Sequence, residues 1–366
     1  MASATTLASY KSHLFRMTQT TPTCLWNDSP DLDELAYSIE HGAVGATCNP
    51  CIVLAILKKR LPLWRPRIEA LIQEMSTATE DQIGWKIVEE MSVTGAALLK
   101  PIFDAQGGRN GRLSIQTDPR FYRDARAIVQ QALHFNQLAP NMIVKIPATR
   151  AGIAAMEEAT YRGVSINATV SFTLPQAIAV AEAVERGLVR REKEGLEIRS
   201  MGPVCTLMVG RLDDWLKVLI EKDNLCIDPG YLEWAGVAVF KKAYSIYRER
   251  GYRLRLLSAA FRNHMHWSEF IGGDVVISPP YSWQVRYNAG DVEAVPRIDN
   301  PVDPNIVRQL TAKFPDFARA NSENGISIDD FDTFGSTRRT LRQFLAAGAD
   351  LTAIIRDLMI PNPDNK

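Results

Sequence analysis

Lys145 lies in the run NMIVKIPAT, with apolar residues on both sides of it. Lysine is among the residues least often fully buried. Three ordinary explanations exist for one in a strand-like run: an edge strand, a turn that only resembles a strand, or a side chain that snorkels to the surface. The chemical explanation is an amine held in a dry pocket. Burial disfavours the ammonium form and lowers the lysine pKa. The neutral amine can then attack a carbonyl carbon and form a Schiff base.

Other polar residues stand at the ends of similar apolar runs. They are Asp28, Asn49, Gln116 with Asp118, the pair Asn167 and Thr169, Arg211 and Arg262. Asn167 and Thr169 are two apart on one strand, so they share a face. Each residue also has a structural reading: Asp28 as a helix N-cap, Asn49 before Pro50 as a turn, Arg211 as a partner of Asp213 or Asp214. Two arginines on neighbouring loops suit a phosphate, which guanidinium groups hold bidentately. His264 and His266 form an H-M-H pair, and Cys48 and Cys51 form a CxxC. Neither has the further ligands of a metal site at the usual spacing. The histidines read as solvent-facing or structural, and the cysteines as small residues at a strand-to-helix turn.

The elements that must position these residues are eight short apolar runs, at 23–28, 44–49, 113–118, 142–148, 165–171, 203–209, 254–260 and 275–279. Most are apolar throughout, as parallel strands covered by helices are. Helical patterns fill the gaps, as in TLPQAIAVAEAVERGL, where apolar residues recur at helical spacing. This order predicts an α/β fold, a (β/α)8 TIM barrel, whose sites lie at the C-terminal ends of the strands. An open doubly wound sheet is the alternative, but no G-x-G-x-x-G follows the first strand. The glycine-rich GGRNG (107–111) precedes a strand and reads as a loop. The segment 51–112 holds several helices, one near 82–99. Proline-rich 280–305 reads as irregular, and two further helical segments are expected near 304–321 and 335–358. The whole is read as one domain, a barrel core over about 20–290 with a C-terminal helical segment over about 300–360.

Lys plus Arg and Asp plus Glu each number 42, so the formal charge is zero. That argues against a general nucleic-acid binder. The five cysteines are scattered and odd in number, unlike a secreted disulfide framework. No apolar stretch reaches the ~20 residues of a membrane span, and the N-terminus lacks a signal-peptide core. The expectation is a soluble cytoplasmic protein with no membrane partner.

Five segments, in order, resemble the transaldolase family. GATCNP (45–50) looks like its G-x-T-T-N-P, VKIPAT (144–149) its Schiff-base lysine motif, and SINATVSFTLPQA (165–177) its fifth-strand motif. VGRLDDW (209–215) is close to V-G-R-x-x-D-W, and SAAFRN (258–263) to S-F-R-N. The resemblance implies Lys145 as nucleophile and Asp28 as the group that exchanges protons with substrate hydroxyls. Asn49 and Asn167 would orient a three-carbon fragment, with Thr47 and Thr206 beside them. Thr169 would help place a catalytic water, and Arg211 and Arg262 would grip a sugar phosphate. The implied reaction transfers a dihydroxyacetone unit from a ketose phosphate to an aldehyde phosphate. Carbohydrate metabolism of the pentose phosphate kind is its setting, and neither metal nor organic cofactor is needed. The resemblance implies a homodimer as readily as a monomer.

The departures are specific. Gln116 stands where the family usually has a Glu that activates water, as it does in the related fructose-6-phosphate aldolases. Ala260 replaces a serine, Thr206 replaces another, and Cys48 replaces the second Thr. They leave open simple aldol cleavage, a specialised transaldolase of secondary metabolism and a non-catalytic barrel that binds a phosphosugar or a protein; a metal-dependent aldolase would rest instead on His264 and His266.

Overall fold

In the computed structural model, which describes residues 10–364, every apolar run noted above forms a strand. The chain begins α1 (His13–Thr20), β1 (Cys24–Asn27), α2 (Leu32–Glu40), β2 (Ala43–Thr47), α3 (Pro50–Glu74), α4 (Glu80–Ala105) and β3 (Arg112–Gln116). It continues α5 (Ala125–Asn136), β4 (Met142–Pro147), α6 (Arg150–Tyr161), β5 (Ile166–Thr169), α7 (Leu174–Lys193), β6 (Val204–Leu207), α8 (Val209–Asp223), α9 (Pro229–Leu232) and α10 (Ala235–Arg250). It ends β7 (Arg255–Ser258), α11 (Met265–Ser268), β8 (Val276–Ile277), α12 (Tyr281–Ala289), α13 (Pro304–Lys313), α14 (Pro315–Ala320) and α15 (Gly335–Met359).

The eight strands are parallel, pair in sequence order, and close when β8 pairs with β1. The fold is a (β/α)8 barrel with extra C-terminal helices. Strand periodicity explains how uniformly apolar strands can hold a polar site. Met142, Val144 and Ile146 of β4 point outward and join the large core under the helices. Ile143 points inward and joins Trp26, Val204, Leu257 and Val276 in a separate small cluster inside the barrel. Lys145 lies two residues beyond Ile143, so it also points inward. A closed barrel has no edge strand, and Lys145 is 6% exposed. The edge, turn and snorkel explanations therefore do not apply to it.

Trp26 is the plug of the barrel. Its ring lies over Gly45 of β2, where a Cβ would come within 2.4 Å of Trp26 Cε2. Gly45→Ala is expected to destabilise the protein by about 1–3 kcal/mol through overpacking. Urea unfolding measures this, and an unchanged midpoint would refute the plug. Arginine lines the N-terminal end of the strands, next to the plug, where Arg112 pairs in register with Gly45. Arg112 donates to Gly108 O at 2.8 Å, Met142 O at 3.2 Å and Ser200 O. Desolvation, helped by Arg255, pushes its pKa down to about 10.

Two sequence expectations need correction. The stretch 280–305 is not wholly irregular, because α12 begins directly after Pro279–Pro280, with Pro280 at its N-cap. Proline suits the start of a helix, where no amide donor is required. The expected helix over 304–321 is two helices, α13 and α14. Pro315 disfavours helical geometry in the residue before it, and Phe314 is extended at φ −123°, ψ 100°. In 51–112 the chain forms α3, kinked at Arg60 with Pro62 and Pro66 inside, and α4, which starts on a capping box of Thr79 and Gln82. Among the described residues, no helix is long and apolar enough to cross a membrane.

Candidate active site

The register gathers the polar residues at one end of the barrel. Gln116 pairs with Lys145, and Lys145 pairs with Asn167, so three inward side chains stand side by side on β3, β4 and β5. Asp28 follows β1, Thr47 ends β2, Thr169 ends β5, and Thr206 lies on β6. Arg211 sits in the first turn of α8, and Arg262 follows β7. All are at the C-terminal ends of the strands.

Lys145 Nζ makes no hydrogen bond or ion pair among the described residues. Desolvation lowers its pKa, against the opposing pull of Asp28 and Cys48. Desolvation raises the pKa of Asp28, against Lys145, Thr47 and Arg211. Burial thus moves the pair toward the neutral forms, which favours an amine able to attack and a carboxyl able to exchange a proton. Asp28 is no helix cap, since Asp31 caps α2. Its Oδ1 instead accepts from Thr47 Oγ1 at 2.6 Å.

Asn167 is fixed from both sides. Its Oδ1 accepts from Thr206 Oγ1 at 2.7 Å, and its Nδ2 donates to Ser114 Oγ at 3.0 Å. Asn49 is the N-cap of α3, where its Oδ1 accepts from Ile52 N at 3.0 Å and its Nδ2 stays unpaired among the described residues. Gln116 is 2% exposed, and its Oε1 is buried with no partner among the described residues. A buried acceptor without a donor costs about 1–3 kcal/mol, so this oxygen is a place for a hydroxyl or a water. Thr169 Oγ1 points to Met208 Sδ at 3.9 Å. The next residue, Val170, has φ +52°, a strained value for a β-branched side chain. Gln176 Nε2 holds that turn by donating to Val170 O at 3.1 Å and Ala148 O at 3.0 Å.

The two arginines meet because Gly210 lets α8 start against the exit of β7. A Cβ there would lie 2.0 Å from Ala260 O. Arg262 is clamped by Asp214, with Nη2 at 2.7 Å and Nε at 3.1 Å. Arg211 pairs with neither Asp213 nor Asp214, contrary to its structural reading. It reaches α15, donating to Gln343 Oε1 at 2.5 Å and Thr340 Oγ1 at 3.3 Å, and its Nε is buried without a partner among the described residues. Desolvation lowers its pKa. The two guanidiniums, Asp214 and the start of α15 enclose a cavity of about 300 Å³.

His266 is structural. It is fully buried, bonds Asp213 Oδ2 through Nε2 at 2.9 Å, and accepts Arg262 N–H at Nδ1 at 3.1 Å. Both ring nitrogens serve to place Arg262. Cys48 is buried beside the site, and desolvation pushes its thiol up to about 11. Cys51, in the first turn of α3, is pushed up to about 11 by the same cause. Among the described residues, no three His, Cys, Asp or Glu side chains gather as they would around a metal ion.

Ser114, Thr340 and Gln343 were not found by sequence reasoning. Ser114 was visible in principle, two residues before Gln116 and so on the same face. The α15 residues carry no such signal, because only tertiary packing brings them to Arg211.

Fold and site together define a (β/α)8 barrel with a lysine amine, unpaired among the described residues, in its mouth and a two-arginine cavity beside it. The chain belongs to the transaldolase/fructose-6-phosphate aldolase family, whose model matches residues 25–333. It is 34% identical over 219 residues to "Transaldolase 1" of Streptomyces avermitilis, covering 59% of this chain and 57% of that protein. It is 30% identical over 213 residues to "Transaldolase" of Mycolicibacterium smegmatis, covering 57% and 56%. It is 32% identical over 233 residues to "Transaldolase" of Thiobacillus denitrificans, covering 62% and 64%. The chain thus spans a little over half the length of these relatives.

Proposed function

We propose that the protein transfers a three-carbon dihydroxyacetone unit from a ketose phosphate to an aldehyde phosphate through a Schiff base on Lys145. The observation that carries this is a buried amine with no hydrogen bond or ion pair among the described residues, beside a carboxyl group and a two-arginine cavity. Three relatives named transaldolase support the reaction class.

The neutral amine of Lys145 attacks the ketone carbon, and loss of water gives an iminium. Asp28 takes the proton from the hydroxyl on the carbon beyond the bond to be broken. That carbon–carbon bond then cleaves, an aldehyde leaves, and the electron pair moves into the iminium to give an enamine. The enamine attacks the acceptor aldehyde, whose oxygen takes a proton back from Asp28. Water hydrolyses the new iminium and frees Lys145. Asn167, fixed by Thr206 and Ser114, and Asn49 orient the three-carbon unit, with Thr47 holding Asp28. Thr169 and Gln116 place water, and Arg211 and Arg262 hold the phosphate. The iminium is the electron sink, so the cycle draws on no metal or organic cofactor. Five free cysteines suit a reducing compartment, and we place the enzyme in the cytoplasm.

Gln116 favours one second reading, aldol cleavage that releases free dihydroxyacetone. An amide can position a water but cannot take its proton. Release of dihydroxyacetone without an acceptor, measured against transfer with one, separates the two readings. Gln116→Glu is expected to accelerate transfer about tenfold or more, since general-base catalysis contributes 10²–10⁴-fold. An unchanged transfer rate would remove the idea that the water step is limiting.

A further inference from the structure

The cavity around Arg211 and Arg262 has a wall that the barrel does not supply. It is the first turn of α15. Phe334 occupies the N-cap and offers no side-chain oxygen, and the first turn contains no acidic residue. The amides of Gly335, Ser336 and Thr337 donate to no group among the described residues. A helix start carries roughly half a positive charge, yet here Arg338 and Arg339 follow directly. Ser336 lines the cavity, is 1% exposed, and has a hydroxyl with no partner among the described residues. Three guanidiniums, those of Arg211, Arg262 and Arg339, face a single carboxylate, Asp214. The unspent groups are the Ser336 hydroxyl, Arg211 Nε–H and the helix amides, and all of them can donate. An anion rich in acceptors is what such a surface lacks.

We propose that the α15 N-terminus is one half of the phosphate site. Ser336 and the first-turn amides take phosphate oxygens opposite Arg211 and Arg262, and so make the C-terminal helix a determinant of selectivity for phosphorylated sugars. The assignment of a sugar phosphate rests on the proposed function, whereas binding of phosphate itself does not.

The probe is inorganic phosphate, titrated into the full chain with affinity read by calorimetry. Ser336→Ala should weaken phosphate by about tenfold, the loss of one hydrogen bond to a charged group. The ligand-free Tm should not fall, because the hydroxyl removed has no partner. The KM for a phosphorylated ketose should rise with kcat nearly unchanged, and an unphosphorylated ketose should be unaffected. In the wild-type chain, phosphate should shift the amide NMR resonances of Gly335, Ser336 and Thr337. Equal phosphate affinity in Ser336→Ala, or unmoved amides in the wild type, overturns the proposal. If phosphate binds as described but Lys145 forms no adduct with a ketose phosphate, the proposed reaction fails and the anion site stands.

Discussion

Lys145→Ala is expected to leave a folded barrel whose turnover falls by about 10⁴-fold or more, as loss of a covalent nucleophile does elsewhere. Folding should survive because the substitution removes a buried amine that makes no hydrogen bond or ion pair among the described residues, and burying such a group is costly. Far-UV circular dichroism and Tm should match the wild type within a few degrees, while a coupled assay reads the lost activity. The pH dependence has a definite sign. Only the neutral amine attacks, so imine formation rises with pH and levels off above the lysine pKa. Burial has lowered that pKa, so the midpoint of the rise should lie below that of free lysine, about 10.4. A midpoint at or above that value would show that the amine is not desolvated in solution.

Asp28→Asn is expected to reduce kcat by about 10²–10⁴-fold, the usual contribution of a positioned acid–base group, while adduct formation on Lys145 continues. The amide can still accept from Thr47 Oγ1 through its own Oδ1, so the local geometry should persist. What it loses is the charge and the ability to carry the proton. The carboxylate raises the Lys145 pKa in the wild type. Removing it lets that pKa fall further, and the imine profile should move to lower pH as carbon–carbon cleavage slows. The opposite movements of the two steps distinguish loss of the proton carrier from general damage to the site. An unchanged kcat would assign the proton transfer to another group.

The frame of the site was legible because barrel strands follow simple rules. Each of the eight apolar runs became a strand with ends close to the expected ones, and period-two alternation puts Gln116, Lys145 and Asn167 on one inner face. The hydrogen bonds among them were not legible. Ser114 to Asn167 spans 53 positions, and Thr206 to Asn167 spans 39. Arg262, not Arg211, holds Asp214, because His266 fixes the Arg262 backbone from below. The role of α15 was the least visible. RRTLRQF reads equally well as a solvated amphipathic helix, and only the packing of its first turn against α8 brings Gln343 and Thr340 to Arg211. The helix after Pro279–Pro280 was hidden by treating prolines as breakers where they serve as a helix start.

The most direct measurement is reduction with borohydride in the presence of a ketose phosphate, followed by peptide mass spectrometry. One stable adduct of the dihydroxyacetone unit is expected, located at residue 145 and absent without the sugar. An intact wild-type protein that turns over substrate yet carries no adduct there would contradict the Schiff-base mechanism.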